Sequence, residues 1–346
     1  MSKLGLRNMC LGVRKIMNCR SSIERFLMEI REEMDEVPKD LHMTRMLGAL
    51  VAISNGRVIK VLEPCLKYCP LAHKHYDFGE DLRAGVKRAF EYKISTFGYF
   101  TCGRELCRED AAIPYGASEM IMYALKREGI DAAVVVCEGA GTVVTDIPSL
   151  VQGIGARMNG VFYTSPIDEV IRRIEKMGDH VIFPETAKID QIAGLRKSIE
   201  LGYRRIAVTI NGFAGEDLSE IRKLEDESGS IICILVVCTT GVNKGRAEEI
   251  AKYADLAWSC GSLYMREIVG RKARIQAATK IPVFILTEKG IIFLSNYSSQ
   301  DLRELVKKYK KYLISGLHIL MRNYVRIEMG NFSTYLGEVE ELPIRV

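Results

Sequence analysis

The chain has 346 residues, of which 48% are hydrophobic and 27% charged, with 49 Lys and Arg against 44 Asp and Glu. This balance excludes global disorder, collagen and coiled coil, and no apolar run reaches the roughly 18 residues of a membrane span. A net charge of +5 without a dense Lys/Arg block argues against nucleic acid as a partner.

Residues 1–45 are charged and amphipathic and read as a helical extension. The N-terminal stretch is basic but lacks an uninterrupted apolar segment, so no secretory signal is expected. The ten cysteines then read as reduced thiols, metal ligands or reactive groups of a cytoplasmic protein. Ser22 reads as the N-cap of a helix over 22–35 that stops before Pro38, with Phe26, Leu27 and Ile30 on one face.

Residues 46–129 read as a β-hairpin and Cys-bearing subdomain. Two β-rich runs flank Asn55-Gly56, a pair suited to a turn that needs positive φ at both positions. A segment with several Cys and His residues follows at 64–76, then charged helical stretches at 80–92 and 116–128.

From 130 to 299 the chain alternates short apolar runs with amphipathic segments. The runs lie at 132–137, 160–163, 180–183, 205–210, 231–238, 256–260 and 282–286. The helical segments lie at 167–177, 189–201, 218–227, 246–253 and 263–275. Near-continuous apolar strands alternating with helices predict an α/β domain with a mainly parallel sheet and flanking helices. A doubly wound open sheet is favoured over a barrel, because no eightfold repeat is visible. Residues 300–346 read as a C-terminal helix carrying the run Lys307, Lys308, Lys310 and Lys311, then an irregular tail at 331–335. The lysine run reads as a solvated face, with a patch for phosphate or an acidic partner as the alternative.

The densest chemical segment holds Cys65, Cys69, Pro70, His73 and His75. Cys102 and Cys107 form a second local pair. Four thiols in two pairs suit tetrahedral zinc or an iron–sulfur cluster, although neither pair has the C-x2-C spacing of common zinc knuckles and the C-x4-C start lacks the C-x2-C of plant-type ferredoxins. Cysteines without metal, or a redox pair, are the alternative.

Cys137, Cys238 and Cys260 end predicted strands, and ligands of parallel sheets sit at the carboxyl ends of strands. The expected rim holds Cys137, Glu138, Gly139, Gly141, Thr239, Thr240 and Cys260, with Asp146, Glu185, Lys188, Asp190 and Asn211 nearby. Gly139 and Gly141 would let the backbone approach a ligand. The 137–142 turn is not a dinucleotide fingerprint, since a third glycine and a following helix are missing. Free amides at 238–243 suit an anion, while Asn243 as an N-cap and Asp190 as a cap are the structural alternatives. Ordinary burial of small thiols competes with the whole rim reading. Cys10, Cys19 and Cys233 look incidental. No Ser-His-Asp spacing stands out among five histidines, and the catalytic residues stay unassigned.

Lys67 to Leu71, Val135 to Val143, Leu150 to Gly155, Lys188 to Gln191 and Ile281 to Phe284 together resemble the methanogenesis marker 8 family. The resemblance covers about residues 46–295. The terminal segments, Cys107 and Cys65 depart from it. They bring the chain closer to a related group, the HmdC group, which accompanies the iron-only hydrogenase and assembly of its iron-guanylylpyridinol cofactor. The resemblance implies methanogen-type metabolism in an anaerobic archaeal cytoplasm and a role in cofactor or hydrogenase maturation, with no established reaction to carry over.

Three readings follow. The first is a maturation protein that binds iron, an iron–sulfur cluster or zinc through Cys65, Cys69, Cys102 and Cys107, or a cofactor precursor at the rim. Its partners would be other maturation proteins or a small-molecule precursor, with no membrane and no nucleic acid. The second is a thiol-dependent enzyme acting on a small anionic metabolite. The third is a scaffold whose terminal extensions dock a partner protein or build a homodimer.

Overall fold

The computed structural model describes residues 19–34, 38–111, 113–157 and 160–344. Cys10 lies outside the described residues. The strands in chain order are β1 (His42–Met46), β2 (Ala49–Ser54), β3 (Arg57–Val61), β4 (Ala132–Cys137), β5 (Gly141–Thr145), β6 (Tyr163–Thr164), β7 (His180–Val181), β8 (Arg205–Asn211), β9 (Ile231–Val237), β10 (Leu256–Trp258), β11 (Ile275–Ala277), β12 (Val283–Ile285), β13 (Lys311–Ser315), β14 (Arg322–Met329) and β15 (Phe332–Val339). The chain divides into two compact units. The first comprises Met1–Leu106, Val136–Val143 and Asn159–Ile189, and the second Cys107–Val135, Val144–Met158 and Asp190–Val346.

The first unit is built on an antiparallel sheet of order β3-β2-β1-β6. Every residue of β1 and β2 is buried, and the largely apolar β2 lacks the polar–apolar alternation of a half-solvated strand. β2 and β3 pair antiparallel across Asn55 and Gly56, whose φ values are 49° and 64°. These are the left-handed values that such a turn demands. The helix Cys19–Met34 presses Phe26 and Ile30 into a core with Leu41, Met43, Leu50 and Ala52, and Leu27 packs at its edge. The apolar face of the N-terminal helix is thus used within its own unit. The helix begins upstream of Ser22, which sits inside it and is not its cap.

Leu82–Phe97 forms a second long helix of this unit. Asp81 caps its start by accepting from the Ala84 amide, and Gly98 ends it at φ 67°. A side chain on Gly98 would strike the backbone of Gly103 and Arg104. The residue must therefore be glycine both for its left-handed φ and for the close approach.

The second unit carries the large mixed sheet, with strands in the order β14-β15-β13-β11-β12-β10-β9-β8-β4. The sheet is open and is not a barrel. β4, β8, β9 and β10 run parallel, in the registers Val134↔Val208, Val208↔Ile234 and Leu256↔Leu235. Their interior residues are almost all buried, as expected for strands covered on both faces. β12 runs antiparallel to both β10 and β11, and β11 and β13 are parallel.

The segment 263–275 is helical over 263–272, with Met265–Gly270 wound as a π-helix, before the chain enters β11. Two local expectations are corrected. The C-terminal region is not a helix followed by an irregular tail. Only Leu302–Leu305 is helical, and Lys311 opens β13. The supposed tail is β15, paired antiparallel with both β13 and β14. Gly330 at φ 56° turns the chain between the two eight-residue strands β14 and β15. Their polar, half-exposed sequences hide the strand period that a buried sheet would display.

Candidate functional site

The turn after β4 is wholly buried in the first unit. Cys137 and Glu138 are both 0% exposed. The Cys137 thiol donates to its neighbour's carbonyl, Glu138 O, at 3.3 Å. Arg104 pairs with Glu138 Oε1 through Nε and lies 3.9 Å above the Tyr99 ring. Burial by itself would lower the Arg104 pKa, but Glu138 and Tyr99 hold it above its ordinary range. Glu138 Oε2 is buried without a hydrogen-bond partner. Burial also pushes the Cys137 thiol well above its usual pKa, and Glu138 adds to this against the pull of Arg104 and Arg173. A thiol in that state is a poor nucleophile. Arg173 braces the same loop by donating to the carbonyls of Cys102 at 3.3 Å and Arg104 at 2.8 Å.

Gly139 and Gly141 have φ values of 79° and 71°. A side chain on Gly141 would meet the backbone of Ala187 and Lys188, and one on Gly139 would meet Ile167. The space beside both glycines is filled by the protein's own chain. Close packing against the protein's own chain is a structural reason for glycine at both positions.

A buried network that spacing did not reveal adjoins this turn. His42 Nδ1 lies 2.7 Å from Thr164 Oγ1, and His42 Nε2 lies 2.8 Å from Asp40 Oδ1. Thr164 Oγ1 also accepts the Gly139 amide at 2.7 Å, and Asp40 Oδ2 accepts the Asn55 amide at 2.6 Å. Asp40 lies two residues before His42, in the bend that leads into β1. Thr164 lies far along the chain. Arg104, Arg173 and Thr164 were all missed because their partners are distant in sequence.

The four cysteines expected to hold metal differ in exposure. Cys65 and Cys69 are half-buried, whereas Cys102 and Cys107 are exposed. Burial raises the Cys65 pKa, with Arg45 opposing. The His73 ring turns to the Cys69 backbone, with Nδ1 3.2 Å from its carbonyl. Among the described residues, no group of three or more His, Cys, Asp or Glu side chains could hold a metal ion.

In the second unit the carboxyl ends of β8, β9 and β10 share one edge. Thr239 and Cys260 meet there: the Cys260 amide donates to Thr239 Oγ1 at 3.0 Å, and Thr239 Oγ1 donates to Trp258 O. The Gly241 amide donates to Gly261 O at 3.0 Å, so the turns after β9 and β10 run side by side. Cys238, half-buried, holds a left-handed backbone at φ 57°, an arrangement that costs energy for a side chain with Cβ. Thr240 is half-exposed on the same turn.

The loop after β8 leans on this turn, with the Gly212 amide donating to Val237 O at 2.6 Å. Asn211 Oδ1 accepts the amides of Phe213 and Ala214, which leaves its Nδ2 buried without a partner. Arg246 donates from Nε to Gly212 O at 3.2 Å and from Nη1 to Glu249 at 2.7 Å, while Nη2 is buried without a partner. An amide nitrogen and a guanidinium nitrogen thus lack acceptors at the strand-end edge whose next turn carries Cys238. Such donors suit a carboxylate or phosphate.

Other expected residues serve the fold. Asn243 and Asp190 are N-caps, accepting from Arg246 N and Ala193 N at 2.9 Å each. Asp146 accepts from Tyr203 OH at 2.9 Å. Lys188 sits 5.1 Å from the Phe183 ring centre. Glu185 lies in the loop after β7, and Cys233 is buried inside β9. Gln191 bridges β4 and β8 by donating to Val134 O and Thr209 O, a structural reason for its place beside Asp190. Among the described residues, no helix is long and apolar enough to cross a membrane.

The chain belongs to a family described as an uncharacterized protein conserved in archaea (DUF2099), whose profile matches residues 42–297. It is similar to an uncharacterized protein of Methanocaldococcus jannaschii, with 42% identity over 277 residues, 80% of this chain and 94% of the relative.

Proposed function

We propose that the protein is an accessory factor of cofactor maturation in methanogen-type metabolism, and that it holds a small anionic precursor at the strand-end edge of its second unit. The observation that carries this reading is the pair of buried donors without acceptors, Asn211 Nδ2 and Arg246 Nη2. They adjoin the turn that holds Cys238 and Thr239, where parallel sheets take their ligands. A carboxylate or phosphate supplies acceptors of the kind these donors lack. The half-buried thiols Cys238 and Cys260 offer a soft contact to the remainder of the ligand. The motifs that resemble the methanogenesis marker 8 and HmdC groups supply the metabolic context, and assembly of the iron-guanylylpyridinol cofactor of iron-only hydrogenase is the pathway they suggest.

The test is anaerobic purification of the full chain from a methanogenic host, followed by mass spectrometry of small molecules released on denaturation. A stoichiometric carboxylate- or phosphate-bearing compound is expected with wild type. Arg246→Met should lose it while keeping the same far-UV circular dichroism. Equal recovery from both proteins would sink this reading. Deleting the gene should also lower iron-only hydrogenase activity without lowering the amount of hydrogenase polypeptide.

A further inference from the structure

Residues 73–79 of the first unit line an open cavity of about 470 Å³, within the roughly 300–1,000 Å³ typical of small-ligand sites. His73, Tyr76 and Phe78 contribute rings to its lining, with Phe78 itself buried. The His73 ring packs against Tyr68 and Phe78, with ring centres 4.7 and 4.6 Å away. Tyr76 meets Tyr92 edge-on at 6.1 Å. Behind this wall is the buried Lys93, whose ammonium is 5.5 Å from the Tyr76 ring centre and 5.1 Å from that of Phe90. A cation behind Tyr76 fixes that ring and draws on its π-electrons.

The polar side chains of the lining are Lys74, Asp77, Tyr76 and the imidazoles of His73 and His75. Lys74 and His75 are exposed there. Arg88 donates to Phe78 O at 3.1 Å, beside Gly79. Asp77 is the acidic residue of the lining, and its Oδ1 already accepts the Gly79 amide at 2.9 Å. Rings provide stacking surface for a flat π-system, and cations at the rim provide for a negative group.

We infer that this cavity binds a flat heteroaromatic ligand carrying an anionic group, of the nucleoside monophosphate class. The ring lies against the half-exposed Tyr76, and the anion faces Lys74 and His75. The site lies wholly within the first unit and does not depend on the strand-end edge of the second, so either reading can fail alone.

Titration calorimetry on the full chain, with adenosine monophosphate, adenosine and inorganic phosphate as probes, tests this. Adenosine monophosphate should saturate with a dissociation constant below about 1 mM. Adenosine and phosphate should each bind about tenfold more weakly, since each keeps only one of the two contacts. Lys74→Glu, at an exposed position, should weaken adenosine monophosphate about tenfold and leave adenosine unchanged. Tyr76→Leu should weaken adenosine monophosphate and adenosine alike. If that variant melts early, Lys74→Glu decides alone. Absence of saturable binding would overturn the inference, as would phosphate binding as tightly as the nucleotide, or an unchanged affinity in Lys74→Glu.

Discussion

His42 Nδ1 and Thr164 Oγ1 lie 2.7 Å apart, fully buried, at directly paired positions of β1 and β6. Asp40 accepts from the other ring nitrogen, which leaves Nδ1 to accept the threonine hydroxyl. The Gly139 amide completes the chain on the threonine oxygen. The turn after β4 is thus tied, through one histidine, to the turn between β2 and β3.

Thr164→Val keeps the shape but strands His42 Nδ1 and the Gly139 amide. It should cost about 1–3 kcal/mol, read as a lower denaturant midpoint with unchanged slope. A cost below a few tenths of a kcal/mol would mean that the network contributes little. Asp40 adds a pH signature. Its hydrogen bond from His42 holds its pKa below the usual 3.8 despite burial, with help from the Asn55 amide. Its contribution is therefore present above pH 3.8 and is lost as pH falls through the lower folded value. Asp40→Asn should flatten stability in that acid window and leave its slope near neutrality unchanged.

Glu119 in the second unit behaves in the opposite sense. Burial raises its pKa from 4.5 to about 7, although Tyr297 OH donates to it at 2.7 Å. Its other oxygen is buried without a partner. Protonation is favoured in the folded state, so this contribution is full below pH 4.5 and fades as pH rises through about 7. Denaturation at pH 5 and pH 8 should differ by about 1–3 kcal/mol from this residue, and Glu119→Gln should remove most of the difference. An unchanged pH slope in the variant would refute the assignment.

Thiol accessibility separates the cysteines. Cys102 and Cys107 are exposed, while burial pushes Cys137 and Cys233 well above the ordinary thiol pKa. Alkylation at pH 8 followed by peptide mass spectrometry should modify the exposed pair first. Cys137 and Cys233 should react about 100-fold more slowly, and only as the protein opens. Rapid native labelling of Cys137 would show that the turn after β4 is not closed.

Gly141→Val should prevent normal folding of the first unit. The new side chain meets the Ala187 and Lys188 backbone at a left-handed φ, a combination that small shifts of flexible side chains cannot relieve. Soluble expression with unchanged melting temperature would contradict the packing described above.

The sequence by itself determined the elements whose signal is local. The apolar runs of β4, β8 and β9 mark buried parallel strands, Asn55-Gly56 suits its positive φ values, and Asp190 and Asn243 lie where helix amides need caps. Half-exposed β14 and β15 escaped, because polar strands carry only a faint period and were hidden behind a lysine run. The sites depended on tertiary structure for a different reason. Thr239 and Cys260 meet because β9 and β10 are parallel neighbours, a relation that strand-end reasoning can anticipate. The ties of Arg104 to Glu138 and of His42 to Thr164 join residues far apart in the chain, and no spacing rule encodes them. Two pairs of cysteines share one metal only if their sulfurs converge within bonding distance, and glycines beside a predicted rim look alike whether a ligand or the chain's own backbone fills the space. Only the packed chain distinguishes these cases, because hydrogen bonds, coordination and steric contact act over a few ångströms of space, whatever the separation along the sequence.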